Sequence, residues 1–464
     1  CLNCHDTHTV QGANRLLREG TTGALIGTMS TGGYRSGTGK PALEETCFQC
    51  HTTVDQSVLL NSLDVPDIES DFQLAISMPL NRYSQANANE EIHDIVDADF
   101  TEDPTKLGYG NLSNRHAECT DCHNPHRMFR NSLGYPSVLI PGDTNQGTHT
   151  HAAGATHSNK ISGVLYGTTG VEPIYNDGPD GRKFGTFDAM PTSFTELKGI
   201  DDGDGFEDTG VTKEYQICLK CHSNYAYSDD GKAESATRPE IGYLGSTGTP
   251  YSAVPGVSSN FKYYTNQAME FQAPANHAAD ASGGQGVDGG ACSTASGVPC
   301  AVTATDWANN FNTNNHRSWH PVMLPTGRTA TVRGISNSNS WMDPWKDNAG
   351  NQTMYCTDCH GSDTGQSGTS VPSALNGDGD SWGPHGSSNR FLLKGVWDER
   401  SQGVGNDDLL CFKCHASGVY NSGEDAGGDT AFDDGDNLHE YHRDKASSSN
   451  YRCLTCHVAV VHGW

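Results

Sequence analysis

The first eight residues, CLNCHDTH (residues 1–8), contain a Cys-x-x-Cys-His unit followed three residues later by a second histidine. The same unit returns six more times, so that two cysteines in each of seven copies use fourteen of the 16 cysteines. The later copies are CFQCH (47–51), CTDCH (119–123), CLKCH (218–222), CTDCH (356–360), CFKCH (411–415) and CLTCH (453–457). This repetition predicts that all seven copies have the same chemical role.

The unit is the attachment signal for c-type haem, for a geometric reason. Two cysteines one short turn apart form thioethers with the two porphyrin vinyl groups, and the adjacent histidine then falls beneath the iron. Zinc sites need four ligands but no histidine at this place, and a disulfide framework or a thioredoxin-like motif would not repeat one pentapeptide. We therefore predict seven covalent haem c groups. The attachment residues are Cys1, Cys4, Cys47, Cys50, Cys119, Cys122, Cys218, Cys221, Cys356, Cys359, Cys411, Cys414, Cys453 and Cys456, and the proximal ligands are His5, His51, His123, His222, His360, His415 and His457.

The composition offers little material for an ordinary hydrophobic core. Apolar residues make up 34% of the 464 residues, and 54 residues are glycine. Segments such as TGALIGTMSTGGYRSGTGK carry neither helical nor strand periodicity. The expected fold class is a multihaem cytochrome c that is mostly coil, with short helices and few strands wrapped around a haem stack. We expect the chain to be unfolded without haem.

The net charge and the hydropathy limit which classes of partner the chain can bind and where in the cell it can lie. The formal net charge of -27 argues against binding to nucleic acid or to anionic lipid. No run of about 18 apolar residues predicts a membrane span, and no export signal precedes Cys1, so an exported chain would have lost it. Haem c is attached beyond the cytoplasmic membrane, which predicts export through the periplasm to the outer cell surface or the medium.

The ligand opposite each proximal histidine separates an electron conduit from an enzyme, because a second histidine leaves no coordination position for a substrate. Fourteen of the 21 histidines lie outside the seven units. Three residues span at most about 11 Å, which is less than the roughly 12 Å between the Cα atoms of two opposed ligands. His8 and His126 must therefore serve a haem other than that of His5 or His123, and the tight spacing of His462 favours a neighbouring haem too. The predicted distal ligands are His8, His93, His126, His320, His385, His439, His442 and His462.

The order CLNCHDTH, CFQCH, HDIV (93–96) and HAECTDCHNPHRMFR (116–130) resembles the filament-forming extracellular multihaem c-type cytochromes of the OmcS and OmcE type. The resemblance covers about residues 1–130. It implies a coil wrapped around stacked bis-histidine haems and subunits that polymerise into conductive filaments. His8 then matches a ligand that reaches a haem of the adjacent subunit, His93 matches a distal ligand, and His126 matches the second histidine of C-x-x-C-H-x-P-H. The carboxy-terminal part is similar to other large bacterial multihaem cytochromes through WHPV (319–322), TMYCTDCHG (353–361), GPHGS (383–387), NLHEYH (437–442) and CHVAVVHGW (456–464), which implies electron transfer alone.

The spacing of the units divides the chain into three sections. Residues 1–135 and 351–464 each carry three units, and residues 136–350 form a loop-rich middle section with one unit. Cys292 and Cys300 stand outside the pattern and are predicted to close a small disulfide loop worth roughly 2–3 kcal/mol. Asp202, Asp204 and Asp208 could converge on calcium, although the terminal glutamate of an EF-hand loop is missing and a solvated acidic turn is the alternative.

Three functions remain open from the residues. The favoured one is a conduit for long-range extracellular electron transfer, not an enzyme, whose partners are other copies of the chain, redox partner cytochromes and extracellular acceptors. A monomeric periplasmic carrier would need no ligand from another subunit. A multihaem reductase would need one open haem, which such enzymes often mark by a C-x-x-C-K unit that this sequence lacks.

Overall fold

The chain is mostly coil and turn, interrupted by short helices and short strand pairs. The computed structural model describes residues 1–8, 14–18, 28–29, 35–36, 42–53, 57, 65–72, 117–128, 157–174, 191–198, 210–225, 241–242, 264–265, 267–271, 320–324, 340–363, 383–389, 392–395, 410–420, 430 and 437–440. Over these ranges the expectation of little regular secondary structure is confirmed. That the coil wraps haem groups stays a prediction.

Helices are short because few segments carry enough apolar residues at helical spacing to bury one face. Five helical segments reach into a Cys-x-x-Cys-His unit, in agreement with the sequence analysis. The α-helical segments are Ala42–Phe48, Ile68–Phe72, Cys119–Cys122, Tyr215–Cys218, Gln267–Glu270, Ser417–Tyr420 and Leu438–Glu440. The 3-10 segments are Asn14–Leu16, Gly163–Leu165, Cys356–Asp358 and Leu410–Lys413.

The strands in the described ranges form three separate two-stranded pairs. Thr28–Met29 pairs antiparallel with Arg35–Ser36, and Ile241–Gly242 pairs parallel with Tyr264–Thr265. The longest pair joins Gly170–Ile174 to Ser193–Leu197, antiparallel, with Gly170 opposite Leu197 and Ile174 opposite Ser193. Val171 and Leu197 are both buried. Since Leu197 lies opposite Gly170 rather than opposite Val171, the two side chains are on opposite faces, and each face of this pair packs against the rest of the chain.

The buried apolar side chains of the described residues form three separate clusters, and motif cysteines pack against each of them. Leu17 and Leu43 contact Cys119. A second cluster contacts Cys122, and its members are Ile161, Leu197, Val211 and Ile217. A third cluster contacts Cys356 and Cys414, and its members are Val171, Tyr215, Leu219, Ala268, Phe271, Val322, Met323, Trp345 and Met354. The buried apolar side chains therefore follow the motifs through the molecule.

The three sections predicted from the motif spacing contact one another. The Ser362 hydroxyl donates a hydrogen bond to the buried carboxylate of Asp71, at 2.9 Å. In the same way the backbone N–H and the hydroxyl of Thr357 both donate to Glu214, at 2.9 and 2.7 Å. The last section thus packs against both earlier ones.

Among the described residues, no helix combines the length and the apolar character that crossing a bilayer would need.

Candidate functional site

The six motifs that the structure describes all fold into the same turn. In each, the histidine N–H donates to the carbonyl of the first cysteine, four residues earlier, at 2.8–3.0 Å. The five-residue spacing closes this single helical turn, which places two sulfur atoms and one imidazole on one short segment. The hydrogen bonds join His5 to Cys1, His51 to Cys47, His123 to Cys119, His222 to Cys218, His360 to Cys356 and His415 to Cys411.

Two of these turns have the same sequence, CTDCH, and the same cap. The Asp121 carboxylate accepts a hydrogen bond from the N–H of Glu118 at 2.8 Å. Asp358 accepts from the N–H of Tyr355, also at 2.8 Å. The third motif residue thus satisfies a backbone donor that the turn leaves unpaired. Local sequence alone is enough to produce this feature.

Three motif histidines are oriented by a backbone carbonyl. The Nδ1 atoms of His5, His51 and His123 lie 2.9, 3.2 and 2.9 Å from the carbonyl oxygens of Arg15, Pro66 and Val164. A carbonyl can only accept, so Nδ1 carries the hydrogen and Nε2 keeps the lone pair that a metal requires. Burial also lowers the pKa of His51 and His123, which favours the neutral, metal-binding imidazole.

Motifs that are consecutive in the sequence are neighbours in space. Cys47 and Cys119 lie close enough for Cys119 to lower the pKa of Cys47, and the sulfur atoms of Cys218 and Cys356 lie within 4.8 Å of each other. These contacts join the second motif to the third and the fourth to the fifth.

Electrostatic effects between cysteines link the remaining pairs of consecutive motifs. Burial and then the nearby Cys4 raise the pKa of Cys50. Burial raises the pKa of Cys122 to about 12, and Cys218 adds to that increase. Burial and then Cys359 raise the pKa of Cys414. Each of the six described motifs therefore lies near the motif next to it in the sequence.

The surroundings of several motif cysteines suit a neutral sulfur better than a thiolate, although Cys119 lowers the pKa of Cys47. Burial raises the pKa of Cys359 to about 12, as it does for Cys122. Thiolate sites for metals or catalysis have the opposite character, with a lowered cysteine pKa. The twelve described cysteines are also free of disulfides. Paired sulfurs, an oriented imidazole and a neutral environment together fit the thioether and axial bonds of haem c.

One group of three possible metal donors occurs in the described part of the chain. Oxygen or sulfur atoms of Glu214, Cys218 and Cys356 lie within 4.8 Å of one another. Zinc needs a fourth ligand, and two of these three residues are motif cysteines. The group is better understood as the junction between the fourth and fifth motifs than as a separate metal centre.

Two predicted distal ligands lie close to motif histidines. The ring of His126 is 6.0 Å from that of His5, at an interplanar angle of 15°. The ring of His385 is 6.2 Å from that of His123, at 32°. Both separations bring an imidazole from outside a motif opposite an imidazole within one, and neither pair comes from a single motif.

His8 and His439 have other surroundings. The side chain of His8 is 89% exposed, and its Nδ1 lies 3.2 Å from the hydroxyl of Thr7. His439 stands edge-on to Tyr420 at 4.9 Å, and Tyr420 in turn stands edge-on to His415 at 5.5 Å. The ring of Tyr420 thus lies between the predicted distal ligand His439 and the motif histidine His415.

His320, in the WHPV segment, takes part in the backbone hydrogen bonding there. Its carbonyl accepts the N–H of Val322 at 2.9 Å.

Several predicted site residues lie outside the described residues: Cys453, Cys456, His457, His93, His442 and His462, the aspartates Asp202, Asp204 and Asp208, and the cysteines Cys292 and Cys300.

His157 was given no role from the sequence, yet it is buried beside the fifth motif. Its Nδ1 lies 2.7 Å from the carbonyl of Thr353, and its Nε2 lies 3.4 Å from the carboxylate of Asp358. Burial lowers the histidine pKa, but the charge and hydrogen bond of Asp358 outweigh burial and raise it. No sequence signal separates His157 from the other histidines outside the motifs.

A set of buried charges surrounds the fourth to sixth motifs and was also missed. Burial raises the pKa of Glu214 to about 7 and lowers the pKa of Lys394 well below its usual range. Lys220 donates to the carbonyl of Asp121 and to the hydroxyl of Thr169. One signal could have found part of this set, because the residue before the second cysteine is Asp, Lys, Asp and Lys in the third to sixth motifs.

Comparison of the chain with protein-family models, curated proteins and solved structures gave no match.

Proposed function

We propose that this chain is a heptahaem c-type cytochrome that carries electrons over long distances outside the cell through bis-histidine haems. The observation that carries the proposal is the same Cys-x-x-Cys-His turn in all six described motifs, with consecutive motifs near one another, as at Cys218 and Cys356. Cofactors attached at such closely spaced motifs would lie near enough to one another to exchange electrons without a substrate pocket.

The chain's own residues have distinct tasks in this function. Haem, when attached, supplies an iron that gains and loses one electron. The cysteines fix its position through thioethers, and the carbonyls behind His5, His51 and His123 aim Nε2 at the iron. The ring of His126, 6.0 Å from that of His5, would supply the second imidazole for a haem held at the first motif. Buried charges such as Lys220 and Asp358 shift the reduction potentials locally.

The exposure of His8 supports the filament form of this proposal. His8 follows the first motif, and its side chain is 89% exposed. A second histidine that is accessible from outside could ligate the iron of another subunit. The partners are then other copies of the chain, together with redox partner cytochromes and extracellular acceptors.

Haem content and spin state test the electron-transfer function. We expect seven haems per chain from an alkaline pyridine spectrum of the purified protein, and only low-spin ferric signals in electron paramagnetic resonance. A high-spin signal that responds to a small ligand would favour the reductase with one open haem. A protein without covalent haem would overturn the proposal.

Replacement of His8 tests the filament. We expect His8→Ala to abolish filaments in negative-stain micrographs while each chain keeps its haems. The matched control is Thr7→Ala, which removes the hydroxyl beside the imidazole but leaves the ligand. Filaments that persist in His8→Ala contradict this ligand, and single particles in the wild type would favour the monomeric carrier.

A further inference from the structure

The third motif has a histidine opposite it that comes from the last section of the chain. The ring centres of His123 and His385 lie 6.2 Å apart, although 261 residues separate them in the sequence (385 − 123 − 1). Two imidazoles bound on opposite sides of one metal, each about 2 Å from it and with about 1.1 Å from nitrogen to ring centre, have ring centres about 6 Å apart. The observed separation agrees with this value.

His123 is held with the correct nitrogen available. Its Nδ1 lies 2.9 Å from the carbonyl oxygen of Val164, in the 3-10 segment Gly163–Leu165, and therefore carries the hydrogen. Nε2, across the ring, keeps its lone pair. Three residues are too few for His126 to reach the opposite side of this iron, and its ring lies instead beside that of His5.

His385 is held from the other side by its backbone. Its N–H donates to the carbonyl of Gly383 at 2.8 Å, and the same carbonyl accepts the N–H of Ser362 at 3.0 Å. A Cβ added at Gly386 would lie 1.8 Å from the carbonyl oxygen of Asp71, so only glycine permits this approach. A Cβ added at Gly383 would lie 2.9 Å from Cε1 of His385, so this glycine also leaves space for the ring.

The side chain of His385 is oriented as well. Nδ1 lies 3.9 Å from a carboxylate oxygen of Asp71, whose side chain is 3% exposed and whose other oxygen accepts the Ser362 hydroxyl at 2.9 Å. The distance of 3.9 Å is that of an ion-pair contact rather than a hydrogen bond, and a carboxylate on the Nδ1 side of the ring favours presentation of Nε2 to a metal. The ring of Phe72, at 5.6 Å, packs beside it.

We propose that His385 is the distal axial ligand of the iron attached at Cys119 and Cys122, opposite His123. This assignment rests on the proposed function, since it requires haem at the third motif. It makes the third site a composite of the first and last sections, joined through Asp71 and Ser362. The GPHGS segment then has a defined task, which is to carry this one ligand.

The test compares full-length, haem-loaded variants by electron paramagnetic resonance and haem counting. We expect His385→Ala to keep seven haems but to convert one of the seven from low spin to high spin, and added imidazole to restore the low-spin signal. The control is Phe72→Leu, which alters the packing beside the ring without removing a ligand, and which should leave all haems low spin. Unchanged low-spin signals in His385→Ala would overturn the assignment.

A second variant covers the case in which alanine prevents folding. His385→Met offers a sulfur ligand, and we expect one haem to acquire the absorption of a sulfur-ligated ferric iron and a higher reduction potential. Seven unchanged bis-histidine haems in this variant would overturn the assignment while leaving the proposed function intact. Absence of covalent haem from the wild type would instead remove the proposed function itself.

Discussion

Glu214 places a carboxyl group in the interior, at the junction of the fourth and fifth motifs. It accepts two hydrogen bonds from Thr357, which favour the charged form, but burial outweighs them and raises the pKa to about 7. The nearby carboxylate of Asp358 adds to the increase, and Lys394 opposes it. At the scale of single residues, the chain therefore keeps a proton near neutral pH where an exposed glutamate would have lost it.

Glu214→Gln is expected to flatten the pH dependence of stability. The ordinary pKa of the carboxyl is 4.5, so between about 4.5 and about 7 the folded chain holds a proton that the unfolded chain releases. The free energy of unfolding of the wild type therefore falls as the pH rises through this window, by about 3 kcal/mol, and is level above it. Urea unfolding of the haem-loaded protein at pH 5 and pH 8 measures the difference.

Thr357→Val is the control for Glu214→Gln, because it removes the side-chain hydrogen bond but keeps the carboxyl group. It should retain the fall in stability with rising pH. If Glu214→Gln shows the same fall as the wild type, another group is responsible.

At the scale of elements, the motif turn is determined locally, while its surroundings are not. Both CTDCH turns are capped by their own aspartate. Their neighbours differ, however, because the first turn packs against Leu17 and Leu43 and the second against the cluster that contains Trp345. The geometry of the turn therefore follows from its own residues, and its packing depends on segments distant in the sequence.

Removal of the cap at the third motif should destabilise the turn. Asp121→Ala leaves the N–H of Glu118 without its acceptor, and we expect a loss of about 1 kcal/mol in the free energy of unfolding. Asp121→Asn keeps a side-chain oxygen in place and should lose less than half of that. Denaturant unfolding of the two variants under identical conditions separates them, and equal losses would argue that the charge matters rather than the hydrogen bond.

Two glycines in different elements should respond in opposite ways to alanine. Gly386→Ala introduces a Cβ only 1.8 Å from the carbonyl of Asp71, so the GPHGS segment must move away from Ile68–Phe72. We expect a loss of more than 2 kcal/mol and, if His385 is a ligand, the same high-spin signal as His385→Ala. Gly418→Ala lies in the helical turn Ser417–Tyr420, where an added Cβ meets nothing within 4 Å, and should be tolerated or slightly stabilising. Equal stability of both variants would contradict the close contact at Gly386.

At the scale of the whole molecule, the buried apolar side chains of the described residues form three separate clusters rather than one continuous core. One consists of Leu17 and Leu43, and another of Ile161, Leu197, Val211 and Ile217. Motif cysteines lie against all three clusters, where an attached porphyrin would extend the apolar surface. The covalent cofactors are thus expected to be part of the core.

Chain produced without haem attachment should therefore be largely unfolded. We expect the circular dichroism of a variant with serine at all motif cysteines to be that of a coil, without a cooperative thermal transition, because the entropy cost of ordering exceeds the burial available. A second preparation, in which the unaltered chain is made in cells lacking haem attachment, guards against an effect of the serines. A cooperative transition in both preparations would contradict this role of the cofactor.

The sequence predicts the motif turns and the scarcity of regular structure, because both follow from short-range spacing and composition. It does not predict that Glu214 and Lys394 are buried, since charged residues are ordinarily assigned to the surface. Nor does it predict that His385 lies beside His123 rather than another motif. Those features depend on contacts between distant segments, such as Ser362 with Asp71, for which a single sequence carries no periodic signal.

The closeness of consecutive motifs would bear on biogenesis. If the chain crosses a membrane with its amino terminus first, as the proposed export implies, each of the second to sixth motifs emerges after the motif that lies beside it. Under the proposed assignment the third site differs, because its second ligand lies in GPHGS, which emerges much later.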